Sequence, residues 1–274
     1  MNQTATTIQE NAAAAAFSKQ APEFDLLYAD NTIIRYKRKR VRAVVDRFLP
    51  ARSSILELNA GTGQDAIYFA EQGHTVHATD ISRGMQEELL KKIEDKKIGA
   101  AVSFELCSFT KLEALQDPGP YDLVFSNFAG LNCTAELEKV LGSFPYLVKP
   151  GGLVVLVILP RFCLWEILLM FKGKLKTAFR RFSGRKGSKA KIDGKQFRCW
   201  YYNPSFIRHR LKDSFEVLAL EGLCTLVPPS YIEYFAEKHP RLYNFLEKKE
   251  NNWKDRWPWR SIGDYFIITL RKKG

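Results

Sequence analysis

Two groups of residues in the first third of the chain have the types and spacing needed to hold a nucleotide. The small-residue turn Asn59-Ala60-Gly61-Thr62-Gly63 follows the apolar run 55–58, and Asp80 closes a second apolar run. Glycines allow a sharp bend and close approach of a ligand, toward which the free N–H groups of the next helix point. A carboxylate can accept hydrogen bonds from both ribose hydroxyls, and it would repel a ribose that carries a phosphate. The pattern predicts a site for an adenosine-type molecule with a free ribose.

The elements around these residues read as strand, tight turn, helix and strand. That order is the first half of a doubly wound α/β sheet, which binds ligands at the carboxyl ends of its strands. Two other interpretations stay open at this point. The turn fits a plain strand-to-helix connection, and Gly61-x-Gly63-x-x-Ala66 also fits the fingerprint of an NAD-binding Rossmann protein.

Further alternating elements follow along the chain. Their predicted bounds are a helix through Lys97, strands at 101–106 and 121–127, a helix at 134–147, and strands at 153–159, 215–220 and 265–270. The turn Lys149-Pro150-Gly151-Gly152 introduces the fifth strand.

The order of these motifs resembles the class I S-adenosylmethionine-dependent methyltransferases, particularly the ubiquinone/menaquinone-biosynthesis type and its small-molecule relatives. The resemblance covers about residues 16–160 and rests on the acid-to-glycine turn 57–63, the YDLVFSNF strand and the Lys-Pro-Gly-Gly turn. It implies an α/β fold with a doubly wound, mostly parallel seven-stranded sheet, an antiparallel last strand, and insertions that cap the substrate pocket.

The resemblance also implies a set of residues for S-adenosyl-L-methionine and its product, S-adenosyl-L-homocysteine. Glu57, Asn59, Ala60, Gly61 and Gly63 would frame the methionine part. The residues implied elsewhere in the cofactor site are Asp80 on the ribose, Ile81, Ser108 and Phe109 around the adenine, Asn127 at the methyl-transfer region, and Tyr28 closing over the cofactor.

Two positions depart from the family pattern. Asn59 stands where relatives have a glycine, and asparagine is the non-glycine residue that best tolerates a left-handed backbone. Ser108 stands where relatives often place an acid for the adenine amino group, and a hydroxyl accepts without charge assistance. We therefore expect the turn to form and the cofactor to bind more weakly than in typical relatives.

The chain of 274 residues, 46% of them hydrophobic, can bury a sizeable core. We predict a disordered or loosely attached segment at 1–15 and a single methyltransferase domain at 16–274. Residues 161–204 and 228–260 are predicted to be insertions that form a lid over the substrate. The longest apolar run, 153–171, is interrupted by Pro160, Arg161 and Glu166, so we expect no membrane span and a cytoplasmic protein.

The net charge of +12 is unevenly distributed. Residues 1–159 hold 17 Lys/Arg against 19 Asp/Glu, whereas residues 160–274 hold 25 against 11, and 11 basic residues fall within 172–198. We interpret an apolar helix at 161–171 feeding into a basic helix as a lid over an apolar or anionic substrate or as a peripheral membrane contact. A solvated basic face and an RNA methyltransferase that uses 172–198 are the alternatives. The oligomeric state is not predicted.

Methyl transfer needs alignment and exclusion of water more than an elaborate catalytic group. If the acceptor must lose a proton, Tyr201, Tyr202, His209 and Glu166 are candidate general bases by location in the sequence. The five cysteines and four histidines show no metal-ligand spacing, so we predict no metal site. The predicted function is transfer of a methyl group to an oxygen, nitrogen or carbon atom of a small molecule, possible classes being phenolic, quinone-like and lipidic acceptors.

Overall fold

The computed structural model describes residues 3–192 and 194–274 of the chain. Its α-helices are α1 (Gln3–Ala29), α2 (Thr32–Phe48), α3 (Gln64–Glu71), α4 (Arg83–Lys96), α5 (Leu137–Leu147), α6 (Leu164–Leu168), α7 (Leu175–Phe179), α8 (Pro204–Leu211), α9 (Phe235–Lys238) and α10 (Pro240–Trp253). Its strands are β1 (Ser54–Leu58), β2 (Thr75–Asp80), β3 (Val102–Leu106), β4 (Tyr121–Ser126), β5 (Val148–Ile158), β6 (Ser188–Ile192), β7 (Lys195–Cys199), β8 (Phe215–Leu223) and β9 (Tyr265–Lys272). Short 3-10 helices lie at Phe109–Ala114, Gly130–Cys133, Leu169–Lys172, Arg180–Phe182, Gly184–Lys186 and Trp259–Ser261.

A seven-stranded sheet has the order β3-β2-β1-β4-β5-β9-β8. The first five strands in that order pair in parallel, and β9 runs antiparallel to both β5 and β8. The predicted doubly wound sheet with an antiparallel last strand is confirmed. The strand order reverses between β1 and β4, and a crevice at such a point binds ligands in folds of this kind.

The central strands are buried because helices cover both faces of the sheet. One core joins alternate residues of β1 and β4 to α2 and α3, with Val44 and Phe69 among its buried side chains. The other joins the opposite faces of those strands to α5 and α8, with Phe144 and Ile207 among its members. Burial on both faces explains why these strands read as continuous apolar runs.

Helix α1 crosses the boundary that we predicted at residue 15. Glu10, Ala13 and Ala16 are buried, and the helix packs closely on α4, because a Cβ at Gly84 would lie 2.7 Å from the Ser18 carbonyl oxygen. Residues 3–15 are therefore helical, and the helix is held from Glu10 onward. The division of the chain into a tail, one domain and two insertions stays a prediction.

The predicted apolar helix at 161–171 that feeds a basic helix is wrong in its detail. The segment forms the short helices α6 and α7 and then the antiparallel hairpin β6–β7. Gly173 and Gly187 take positive φ angles of 73° and 62°, which end the helical turns. Residues 188–192 alternate between half-buried and exposed, as a strand does on one covered face. Asp193 lies outside the described residues.

Candidate cofactor and acceptor site

A cavity of about 1050 Å³ opens at the carboxyl ends of β1, β2 and β4, with α1 and α2 along its walls. The predicted cofactor residues that line it are Tyr28, Glu57, Asn59, Ala60, Gly61, Asp80, Ile81, Ser108, Phe109 and Asn127. Gly63 is the remaining member of the predicted set and lies at the start of α3. A Cβ there would fall 2.1 Å from Leu89 Cδ1, so Gly63 lets the turn pack against α4.

The turn after β1 takes the conformation that the sequence predicts. Asn59 has a φ of 50° and Gly61 a φ of 58°, both in the left-handed region. The Asn59 side chain donates to the Asn127 carbonyl oxygen (2.9 Å) and accepts from Ser126 Oγ (2.6 Å). Asparagine therefore tolerates the backbone and also ties the first turn to the end of β4, which a glycine would not do.

Asp80 lies at the end of β2 and faces the turn. Its carboxylate accepts from the Gly61 N–H (2.9 Å) and the Ser82 N–H (2.8 Å). Burial raises the pKa of Asp80, and these backbone donors act in the opposite direction. Each carboxylate oxygen has two lone pairs, so both oxygens keep acceptor capacity toward the cavity.

Glu57, next to this turn on β1, is only 2% exposed. Its Oε2 has no hydrogen-bond partner among residues 3–192 and 194–274. Burial, and then the charge of nearby Asp65, raise the pKa of Glu57 well above its usual range. An unpaired buried carboxylate in a cavity wall is suited to a positively charged or donor group of a ligand.

The sequence analysis missed an acid on α1. Glu10 lines the cavity and its side chain is buried, with 5% of the residue exposed. Glu10 Oε2 accepts from Ser108 Oγ (2.7 Å) and from Thr110 Oγ1 (3.0 Å). Glu10 Oε1 is buried without a hydrogen-bond partner in the described part of the chain. The structure therefore places a carboxylate beside the serine that stands where the family pattern has an acid.

Asn127 is held by a charged network. Its side-chain amide donates to Asp65 Oδ2 (2.8 Å), and Asp65 pairs with Arg38 and Arg42 of α2, each at 2.8 Å. Burial acts to raise the pKa of Asp65, but the two guanidinium groups outweigh it and lower that pKa. The network joins α2 to the start of α3 and to the end of β4, and it uses Asp65 for structure rather than leaving it free for a ligand.

The four candidate general bases do not line this cavity. Tyr201, Tyr202 and His209 line a second, smaller cavity of about 640 Å³. Tyr202 donates its hydroxyl to the Thr134 carbonyl oxygen (2.5 Å). Their positions within or just after the 161–204 segment do not bring them to the proposed methyl-transfer region.

Glu166, the fourth candidate base, lies in a network of ion pairs. It pairs with Arg180 and with the buried Arg181, both at 2.6 Å, and Arg181 also pairs with Asp264 at 2.7 Å. Cys163, Glu166 and Asp264 cluster closely enough to suggest a metal site, but the guanidinium groups of Arg180 and Arg181 already pair with the two carboxylates. The cluster anchors the 161–182 segment to the loop before β9.

Among the described residues, no helix has the length and apolar character needed to cross a membrane.

Residues 55–152 match the family model described as a methyltransferase domain. The chain is 32% identical over 152 residues to the ubiquinone/menaquinone biosynthesis C-methyltransferase of Yersinia enterocolitica, covering 53% of this chain and 57% of that protein. It is 29% identical over 108 residues to the tRNA 5-carboxymethoxyuridine methyltransferase of Escherichia coli K12, covering 39% of this chain and 41% of that protein. The chain therefore spans about half the length of these curated relatives or less.

Among solved structures, the fold is similar to the 1,6-didemethyltoxoflavin-N1-methyltransferase of Burkholderia thailandensis. The TM-score is 0.58 at 15% identity, covering 98% of this chain and 91% of that one. The strand order, the turn with its acid at the end of β2, and the methyltransferase-domain match over residues 55–152 are those of the class I S-adenosylmethionine-dependent methyltransferase fold. Within that class, the chain resembles the ubiquinone/menaquinone-biosynthesis type.

Proposed function

We propose that this protein transfers the methyl group of S-adenosylmethionine to a small molecule held in the 1050 Å³ cavity. The observation that carries the proposal is the pair of unpartnered carboxylate oxygens, Glu57 Oε2 and Glu10 Oε1, which lie on the walls of one cavity with Asp80. S-adenosylmethionine carries donors that match all three acids: an ammonium, two ribose hydroxyls and an adenine amino group. The three acids of the site therefore match the donor groups of S-adenosylmethionine.

The roles follow the order of the strands. Glu10, beside Ser108 after β3, would accept from the adenine amino group, and Asp80 after β2 would accept from the ribose. Glu57 on β1 would accept from the ammonium, and the Asn59–Gly63 turn would lie against the methionine part. The acceptor would then lie beyond Asn127, near the end of β4.

When bound, S-adenosylmethionine supplies an electrophilic methyl group, whose bond to sulfur breaks as a bond to the acceptor forms, leaving S-adenosylhomocysteine. The chain would contribute alignment and exclusion of water. Helix α1 carries Phe17, Phe24 and Tyr28 on the cavity wall, and Asp25 of α1 accepts from Thr62 of the turn (2.8 Å). These contacts let α1 act as a cover over the reacting groups.

The role of Glu10 predicts selectivity for adenine. We expect the protein to bind S-adenosylhomocysteine at least about tenfold more tightly than S-inosylhomocysteine, which lacks the amino group, because a charge-assisted hydrogen bond contributes about 1.5–3 kcal/mol. Glu10→Ala should remove most of that preference. Calorimetric titration of both ligands measures it.

The double variant Glu10→Ala/Ser108→Asp is the matched control, because it moves the acid to the position of the family pattern. It should regain selectivity for S-adenosylhomocysteine. If Glu10→Ala keeps the full preference of the unchanged protein, the adenine lies elsewhere.

An RNA methyltransferase is the second candidate, because Lys189, Lys191 and Lys195 are exposed on the β6–β7 hairpin and the Escherichia coli relative is a tRNA methyltransferase by name. Binding to phosphates would weaken steeply with salt. Phosphate contacts are lost over a salt range of about 50 to 200 mM. Our proposal predicts that tRNA binding is weak across this range. It also predicts that replacing these three lysines with glutamine leaves that binding unaffected. Tight, steeply salt-dependent binding that the triple variant loses would favour RNA instead.

The peripheral membrane contact and the cytoplasmic location stay predictions. Leu168, Phe171 and Phe179 are exposed on the 161–182 segment, which is compatible with contact to a lipid surface.

A further inference from the structure

Lys37 is a buried cation in the wall of the cavity. It lies on α2, and 2% of the residue is exposed. Its ammonium donates to Ser230 Oγ at 3.0 Å and lies 4.8 Å from the Tyr265 ring centroid and 5.6 Å from that of Phe128. No carboxylate of residues 3–192 or 194–274 lies within 4.0 Å of this ammonium.

The other buried or half-buried basic residues of α2 differ from Lys37 in this respect. Arg38 and Arg42 pair with Asp65, and Arg40 pairs with Glu221. A lysine ammonium has three donors, and Lys37 uses one of them on a protein hydroxyl. Burial of a charge is costly unless it is paired, and two aromatic rings compensate only part of that cost. The free donors and the charge of Lys37 are suited to an anion in the cavity.

The position of Lys37 relates this anion to the acceptor rather than to the cofactor. Phe128 follows Asn127 at the end of β4, and Tyr265 begins β9. In the sheet order these strands lie on the opposite side of β1 from β2 and β3, where Asp80 and Ser108 lie. Lys37 is therefore placed beyond the proposed methionine part of the cofactor.

We propose that Lys37, flanked by Phe128 and Tyr265, binds an anionic oxygen group of the methyl acceptor, and that the acceptor has an aromatic or apolar body. As a statement about a methyl acceptor, this rests on the proposed function. The ammonium supplies charge-assisted hydrogen bonds to a carboxylate or phosphate, and the rings supply apolar surface for the attached body. A cationic acceptor is disfavoured at this position because it would meet the Lys37 charge.

The test uses the full chain saturated with S-adenosylhomocysteine and titrates it with benzoate, phenyl phosphate and the neutral analogue benzamide. We expect at least one anion to bind at least about tenfold more tightly than benzamide. Comparing benzoate with phenyl phosphate separates a carboxylate site from a phosphate site. Lys37→Met should reduce anion binding at least about tenfold and leave benzamide and S-adenosylhomocysteine binding unchanged.

Lys248→Met is the matched control, because it removes the same charge from an exposed position on α10 that does not line the cavity. It should leave the anion preference intact. Equal binding of anions and benzamide by the unchanged protein would overturn the proposal, as would an anion preference that survives Lys37→Met. Anion binding through Lys37 without any binding of S-adenosylhomocysteine would instead contradict the proposed function and leave the anion site standing.

Discussion

Replacing Glu57 with glutamine is expected to make the ligand-free protein more stable and its binding of S-adenosylhomocysteine at least about tenfold weaker. Both effects come from one carboxylate, which is buried, has an unpartnered oxygen and lies beside Asp65 and Asp80. Glutamine keeps the shape and removes the buried charge. Loss of a charge-assisted hydrogen bond to the ammonium costs about 1.5–3 kcal/mol, which corresponds to the expected loss of affinity.

The stability effect of Glu57 should depend on pH. Burial raises the pKa of Glu57 in the folded protein well above its ordinary value of 4.5, so the folded state holds the proton more tightly than the unfolded chain. This contribution to stability is fully present below pH 4.5 and is lost as the pH rises through the folded pKa. The Tm advantage of Glu57→Gln over the unchanged protein should therefore grow with pH. A variant with lower Tm and unchanged affinity would contradict the role of Glu57.

Replacing Glu250 with alanine is expected to destabilise the protein by at least about 3 kcal/mol. The Glu250 carboxylate is 1% exposed and accepts from four consecutive backbone N–H groups, those of residues 224–227, at 2.8–2.9 Å. It also accepts from the Tyr36 hydroxyl at 2.9 Å. Each buried donor left without a partner costs about 1–3 kcal/mol.

Thermal unfolding measures this effect, and the Tm should fall by at least about 6 °C for a chain of this size. Glu233→Ala is the control, because it removes an exposed carboxylate from the same C-terminal part of the chain. Its Tm should change by less than about 2 °C. Equal Tm values for the two variants would show that Glu250 does not hold the loop after β8 to α10.

Much of the main sheet was predictable because β1, β4 and β5 contain apolar runs, a recognisable turn follows β1 and an acid ends β2. The Gly-rich turn and Asp80 each mark a boundary that backbone chemistry requires, whereas Lys149-Pro150-Gly151-Gly152 lies within β5, at an irregularity in its pairing with β4. The left-handed Asn59 was predictable for the same reason. Local rules of this kind do not depend on distant residues.

The residues that were missed depend on contacts between distant segments. Glu10 lies in an Ala-rich stretch, and its function becomes visible only when α1 places it beside Ser108, 98 positions away. Lys37 lies in the basic run 35–42, where the sequence does not show which cation lacks a carboxylate. The Asp193-Gly194 pair is a hairpin signal that could have identified β6 and β7, but the surrounding basic residues favoured a helix in our interpretation.

The most direct test of the account is a calorimetric titration of the unchanged protein with S-adenosylhomocysteine and, separately, with NADH. The three acids Glu10, Asp80 and Glu57 predict saturable binding of one S-adenosylhomocysteine per chain and no saturable binding of NADH. Saturable binding of NADH without binding of S-adenosylhomocysteine would contradict the central claim.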